Sequence, residues 1–529
     1  MTMWTRKAPA AGRRAGRGGP KGRAESAARI FLLLACLGLA AGCASVGPDY
    51  VAPAVDVPRA WSSTAAAKVA GPDMAAASGK DAMVVQWWRL FRDPVLERLV
   101  AEAAQRNLDL REAVARVDEA EARLGVASGG RLPSVDASGA YARKRTSENA
   151  GGDGLTTHDF SVGGAAGWEA DLFGRVRRSV EAAAAEHQAS REDRAAVMIS
   201  LHARVALRYL AVRTCQARLV AARANIDSQR EVLELSRARL RHGLTNDLDV
   251  AQAERMLASS EASVPPLRIA LAEAVNGLAV LLARPPGPLH EELAAGGPIP
   301  VPPDRATLGV PADLMRRRPD IRQAERLLAA QTARVGVATA DLYPRLSLAG
   351  SLGYEAYESR DLFDPASTVF AFGPSLRWNI FAGGSLRSRV RVEDARVQQC
   401  LCRYERTVLA ALAEVETALR AYVEERARLD ALRRTVDASR RSVRLSVGLY
   451  RQGLVDFQSV LDSQRDLFSF ENQLAAARGD CAANFVRLYT ALGGGWDPEA
   501  PQEPGAPDVT DAARGGDSPN TKQPEGDAR

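Results

Sequence analysis

The five histidines, His158, His187, His202, His242 and His290, are the side chains best suited to bind a metal or move a proton near neutrality. No two lie three or four residues apart, the interval that stacks ligands on one helical face, so no metal site is expected. Gly493–Trp496 reads GGGW and lacks the Lys-Ser/Thr that a phosphate loop requires, and no serine sits in a nucleophile elbow. Carboxylate pairs such as Asp247 and Asp249 recur in helix-like stretches, where a solvated face is the ordinary role. The expectation is no catalytic residue, no cofactor and no enzyme.

Cysteine chemistry is more informative. Residues 1–42 carry Arg6, Lys7, Arg13, Arg14, Arg17, Lys21, Arg23 and Arg29 against one acid, Glu25, and lead into IFLLLACLGLAAG. This apolar run is too short to span a bilayer and reads as a signal peptide over 1–42. It ends at LAAGC, which resembles the lipobox of bacterial lipoproteins, with Ala40 where leucine is usual. Cleavage before Cys43 and acylation of its sulfur are expected. Ala44 is not the aspartate that tends to hold lipoproteins at the inner membrane, so outer-membrane sorting follows. Without the signal the formal charge of the chain falls from +6 to −1, which removes the charge argument for a nucleic-acid partner. Cys215, Cys400, Cys402 and Cys481 lie in helical contexts and are expected as free thiols packed like small hydrophobes. An oxidising compartment leaves a disulfide open.

Long helices must carry these residues. From Arg175 to His242 there is neither glycine nor proline, enough chain for a helix of roughly 100 Å. Met198, Val205, Val212, Leu219, Ile226, Leu233 and Leu240 recur every seven residues. A shift of 210 gives Val408, Val415, Tyr422, Leu429, Val436, Val443 and Tyr450. A sustained seven-residue period predicts helices that supercoil against neighbours, with Arg208, Gln229 and Ser236 weakening a second seam. The same shift aligns RHGLTNDLDVAQAERMLA at Arg241 with RQGLVDFQSVLDSQRDLF at Arg451. Gly243 and Gly453 are therefore read as the tips of two helical hairpins, with Asn246, Asp247 or Asp456 available to cap a return helix of about 244–283 or 454–492.

At the other ends of the hairpins the period changes to two. Val135, Ala137, Gly139 and Tyr141 alternate, as do Phe160 through Leu172, Leu346 through Tyr354, and Phe370 through Ile380. Such segments suit strands with one face to lipid, and Tyr141, Trp168, Tyr354 and Trp378 are expected near the membrane interfaces. Four strands cannot close a barrel, so association is required. Two copies give eight strands and three give twelve, the smallest count with room for an open lumen.

The lipobox with CASVGPDYVAP, the run QWWRLFRDPVLERLVAEAAQRNLDLREAVARV from Gln86, WEADLFGRVRR from Trp168, VPADLMRRRPDIRQAE from Val310 and RLYTALGGGW from Arg487 together resemble the TolC-like outer-membrane efflux proteins. The likeness is to their lipoprotein branch, which serves resistance–nodulation–division pumps (NodT-type outer-membrane factors). It implies a mainly α fold with a membrane β-barrel: two internal repeats of about 210 residues, each of long antiparallel helices plus a β-hairpin. Three chains would form a twelve-strand barrel on a helical periplasmic tunnel.

The expected order is a lipidated extension over 43–80, a first repeat over 81–284 with its β-hairpin at about 133–172, and a linker over 285–312. A second repeat over 313–492 follows, with its hairpin at about 344–381, then a disordered tail over 493–529. The implied partners are two further copies, a periplasmic adaptor (membrane fusion protein), an inner-membrane pump, outer-membrane lipid and small-molecule cargo. The resemblance also implies a periplasmic gate, in which the aspartate of a leucine–aspartate pair forms a constriction. Here that residue is Asp462, with Gln458 and Ser459 at neighbouring constriction positions and Arg465 within helical reach. The alternatives are a duct for one-step protein secretion and a lipid-tethered structural coiled coil.

Overall fold

The computed structural model describes residues 45–58, 60–61, 85–303 and 317–497. Cys43, residues 310–316 of the arginine-rich motif and the tail after Asp497 lie outside the described residues. The chain divides into two compact units. Of the described residues, one unit holds those of Ala127–Val180 and Ala333–Glu393 with 45–49, and the other those within Tyr50–Val126, Glu181–Thr332 and 394–497.

The helical unit starts with a 3-10 turn, Trp87–Phe91, and helix α1, Pro94–Arg106. Asp93 caps α1, accepting from the Val95 and Leu96 amides, and Pro94 fills the first-turn position where a missing N–H costs nothing. Asn107 then accepts from the Leu110 amide to start α2, Leu108–Gly129, and donates 2.9 Å to the Leu281 carbonyl. The conspicuous motif from Gln86 is thus mostly capping chemistry. The motif from Val310 is likewise structural where it is described. Arg318 donates to Asp320, to Glu414 at 2.7 Å and to the Ala491 carbonyl at 2.8 Å. Glu325 pairs with Arg326 and accepts from the Tyr50 hydroxyl.

Helix α3, Arg175–Arg241, is unbroken as its composition requires. The return is not. It forms α4, Asp247–Ala262, and α5, Val264–Leu281, separated at Ser263, where a single helix was expected. Pro265 and Pro266 explain the break: they lack the amides that would bond back across Ser263, and they fit the first turn of a new helix. The second copy has Ala475 and Ala476 at those positions. There α8, Ser385–Arg451, is followed by one continuous α9, Phe457–Ala491. Between the copies the linker is not bare loop: α6, Pro286–Leu293, buries Leu289 and Leu293, and α7, Pro319–Ala340, opens the second repeat.

Of the heptad positions on α3 and α8, all but Met198, Leu240 and Val443 are buried. Leu201, Tyr209, Tyr422 and Phe485 share one core with Leu96 of α1 and Leu278 of α5. Each such side chain removed from water contributes about 1.5–3 kcal/mol. By composition α3 and the α4–α5 stretch each hold a window apolar enough to cross a bilayer, but 56% of the α3 window is buried within the structure. The four cysteines are free: Cys215 and Cys481 are buried as expected, whereas Cys402 is exposed. Leu401, seven before Val408, is half-buried, and Cys402 beside it is exposed.

The other unit holds one antiparallel sheet in the order β1–β2–β3–β4. The strands are β1 Ser134–Arg145, β2 Thr156–Ala170, β3 Arg345–Ala356 and β4 Thr368–Arg377. The register pairs Tyr141 with Phe160, Val162 with Tyr354, and Leu352 with Phe370. Partners opposite one another point to the same side, so every apolar set named from the sequence lands on one face. Ser138, Ser161, Ser347, Ser351 and Ser375 fall on the other. Among the described residues none covers the β4 part of the apolar face: Phe370 and Phe372 are each 80% exposed. Gly163 lies opposite Gly353, and a Cβ on Gly163 would sit 2.8 Å from the Leu352 carbonyl oxygen. Here the repeats approach too closely for a side chain.

Tyr141 and Tyr354 mark the end of this face near the strand-connecting loops, and Trp168 the end where the chain leaves β2. The indoles of Trp168 and Trp378 each donate 3.0 Å to a carbonyl, of Arg131 and Leu342. Leu352 is therefore near mid-depth. Leu352→Arg should cost about 2–4 kcal/mol in lipid, whereas Ser351→Arg, on the opposite face, should cost far less. The yield of folded, heat-modifiable protein in outer membranes checks this; equal losses would contradict the assignment of faces.

Candidate functional site

The two helical tips are built alike. Gly243 and Gly453 have φ of +69° and +75°, the left-handed conformation that only glycine adopts without cost. Around them Gly243 N–H donates to the Leu240 carbonyl and Leu244 N–H to that of Arg239, while Gly453 and Leu454 do the same to Tyr450 and Leu449. These paired bonds satisfy the last carbonyls of α3 and α8. Three residues later Asn246 and Asp456 cap the returning helices, whereas Asp247 lies inside the first turn. The Ser459 hydroxyl and amide both donate to Asp456, which holds that carboxyl below its usual range.

Gln458, Asp462 and Arg465 share one face of α9. Gln458 Nε2 donates 2.9 Å to Asp462 Oδ1, and an Arg465 guanidinium nitrogen lies 3.4 Å from the same oxygen. Asp462 and Arg465 side chains are 52% and 57% exposed, so the pair is well screened. Ser459 is not part of this group, because its cap engages it.

A second arrangement, not anticipated from the sequence, joins the tips. Arg239 donates to the Tyr450 carbonyl at 2.7 Å, to that of Arg451 at 3.2 Å and to that of Leu244 at 3.2 Å. Its guanidinium also stacks 4.6 Å from the centre of the Tyr450 ring. The Tyr450 hydroxyl donates 3.2 Å to Asp249 Oδ2, which also accepts from Thr245. Tyr450 itself is only 3% exposed and packs on Phe457. The available signal was a difference between copies: Arg239 and Leu240 in one answer to Leu449 and Tyr450 in the other.

Chemistry elsewhere is quiet. Among the described residues no three His, Cys, Asp or Glu gather around a common point. A cavity of about 480 Å³ is lined by Pro298, Pro300, Tyr422, Arg433 and Cys481. Asp430 on its wall is paired with Arg433 at 3.0 Å, and burial pushes the Cys481 thiol up to about 11, so it stays protonated at neutrality. His202 is held down to about 4 by burial, partly offset by its bond to the Gly495 carbonyl, and so is neutral at physiological pH.

Comparison with known proteins follows the same outline. The family model described as "Outer membrane efflux protein" matches residues 99–284 and 310–494. Nodulation protein T of Rhizobium leguminosarum bv. trifolii is 32% identical, over 87% of this chain and 96% of its own. The antibiotic efflux pump outer membrane protein ArpC of Pseudomonas putida is also 32% identical, over 88% and 96%. Among solved structures the outer-membrane channel OprN superposes with a TM-score of 0.78 at 36% identity, over 86% of this chain and all of that one. A likeness at this coverage in sequence and in fold places this chain in the outer membrane efflux protein family.

Proposed function

We propose that the protein is the outer-membrane duct of a tripartite efflux pump, a passive channel through which small molecules such as drugs leave the cell. The observation that carries this reading is the sheet: apolar along most of one face, small and polar along the other, and open at both edges among the described strands. Such a sheet is suited to close with copies of itself around a polar lumen. Three copies supply twelve strands, enough for an open bore. The relatives named as antibiotic and toluene efflux pump outer membrane proteins support cargo of small size; an adaptor and an inner-membrane pump are the partners this reading requires. The chain needs no catalytic step in this role, since a pump elsewhere would supply the energy.

The periplasmic gate is assigned to the tips. Around a threefold axis an inward side chain recurs three times, so Asp462 and its neighbours Gln458 and Arg465 would bring like groups into a narrow ring. The Arg239–Tyr450 clasp would hold the hairpins in the closed arrangement. Lipidation at Cys43 would assist sorting more than retention, because one acyl chain is a weak anchor beside a barrel.

Reconstituted wild-type protein should conduct ions with small unitary steps. Asp462→Ala combined with Arg465→Ala, and separately Arg239→Ala, should raise the conductance and sensitise cells to vancomycin at unchanged protein level. Normal assembly with unaltered conductance in both variants would move the gate elsewhere. For the anchor, Cys43→Ser should abolish labelling by radioactive palmitate; labelling that persists would exclude this cysteine.

A further inference from the structure

The apolar face of β1 does not end in apolar residues. Beyond Tyr141 the strand reads Ala142, Arg143, Lys144 and Arg145, and the register splits this basic run between faces. Lys144 falls on the small, polar face and is neutralised there by Asp159 of β2 at 3.1 Å. Arg143 and Arg145 share parity with Tyr141 and point to the apolar side, opposite His158 and Thr156. Both are exposed, and among the described residues neither has a hydrogen bond or an ion pair. His158 is engaged by the Tyr141 hydroxyl at 2.9 Å and offers them no counter-charge. Arg360, in the loop between β3 and β4, is by contrast balanced by Glu358 and Asp361. Two cations on one strand are thus left unneutralised by the described residues of their own chain, on the face that the proposed barrel would turn to lipid.

Their depth decides what they meet. The chain enters β1 from α2 and leaves β2 into α3, so residues 146–155 between the strands lie at the opposite end of the hairpin from those two junctions. At about 3.4 Å per residue Arg143 and Arg145 stand roughly 7 and 14 Å along the strand beyond Tyr141. Strand tilt makes that about 5 and 10 Å above the aromatic girdle, at headgroup level. An arginine facing hydrocarbon is costly, and the cost fades to near zero only at the interface. Guanidinium groups bind phosphate oxygens bidentately, with better directionality than lysine.

We propose that Arg143 and Arg145 form a docking surface for the phosphate groups of the glycolipid in the outer leaflet, held against the outside of the barrel. This rests on the reading of the sheet as part of an outer-membrane barrel. The apolar strip from Val135 to Tyr141 would contact the acyl chains, and the two guanidinium groups would take the phosphates.

The test uses the full-length protein, purified in detergent and first checked for ion conductance. Bound lipid is counted by native mass spectrometry with diphosphoryl lipid A and with the same glycolipid stripped of both phosphates. Wild type should prefer the phosphorylated form about tenfold, a difference that two screened charge-assisted contacts can supply. Arg143→Gln with Arg145→Gln should bring the ratio near one, while Lys144→Gln should keep it. Millimolar inorganic phosphate should not displace the glycolipid; displacement would point to a free-phosphate site and overturn the assignment. Equal binding of both lipids by wild type, or an undiminished preference in the double variant, would overturn it too. If those proteins still conduct, the docking surface alone is wrong; if wild type forms no channel, the barrel reading falls with it.

Discussion

Everything in this protein depends on two open sheet edges. Among the described residues β1 pairs only with β2 and β4 only with β3, so one side of each carries backbone groups without a partner in the sheet. In hydrocarbon each unpaired amide or carbonyl costs several kcal/mol, and no side chain on this sheet can compensate along a whole strand. The apolar face meanwhile requires lipid. In the proposed barrel these two demands are met together when the edges close on other copies. Closure in turn fixes the register, because a slip of one residue would exchange the phenylalanine and serine faces throughout. Gly163 against Gly353 secures the seam between the repeats, since a side chain on either would push β2 from β3.

The helices answer a different requirement with the same duplicated segment. Their seam is a seven-residue repeat that both copies keep, while the copies diverge where their return helices and tips differ in task. Pro265 and Pro266 break one return, and Ala475 and Ala476 leave the other whole. At the tips the contrast is energetic. The exposed Asp462–Arg465 pair contributes at most a few tenths of a kcal/mol. Arg239, by contrast, bonds three carbonyls and stacks on a buried tyrosine. A small conformational preference at the tip therefore rests on few contacts, as a switchable element requires.

Much of this was legible in the chain because periodicity is a local property. The heptads announced α3 and α8, the change to a period of two announced the strands, and the glycines at 243 and 453 announced the reversals. The face shared by all four strands needed only one assumption, that paired strands keep parity. What escaped depended on tertiary context or on weighing local signals correctly. The proline pair was visible, but a first-turn proline and a helix-ending one look alike until the flanking turn is seen. The clasp joins Arg239 to Tyr450 across some two hundred residues, and no spacing rule reaches that far. Of the expected gate residues, Ser459 showed its cap only once Asp456 was seen to adopt a non-helical conformation. Cys43 lies outside the described residues, so its acylation rests on the leader alone.

The mass of the intact, detergent-extracted protein tests this account most directly, because it counts the copies that close the edges. Native mass spectrometry under conditions that preserve channel activity should give a single species of three chains, and therefore twelve strands. A conducting species of one or two chains would contradict it, since four strands leave edges in lipid and eight leave no open bore.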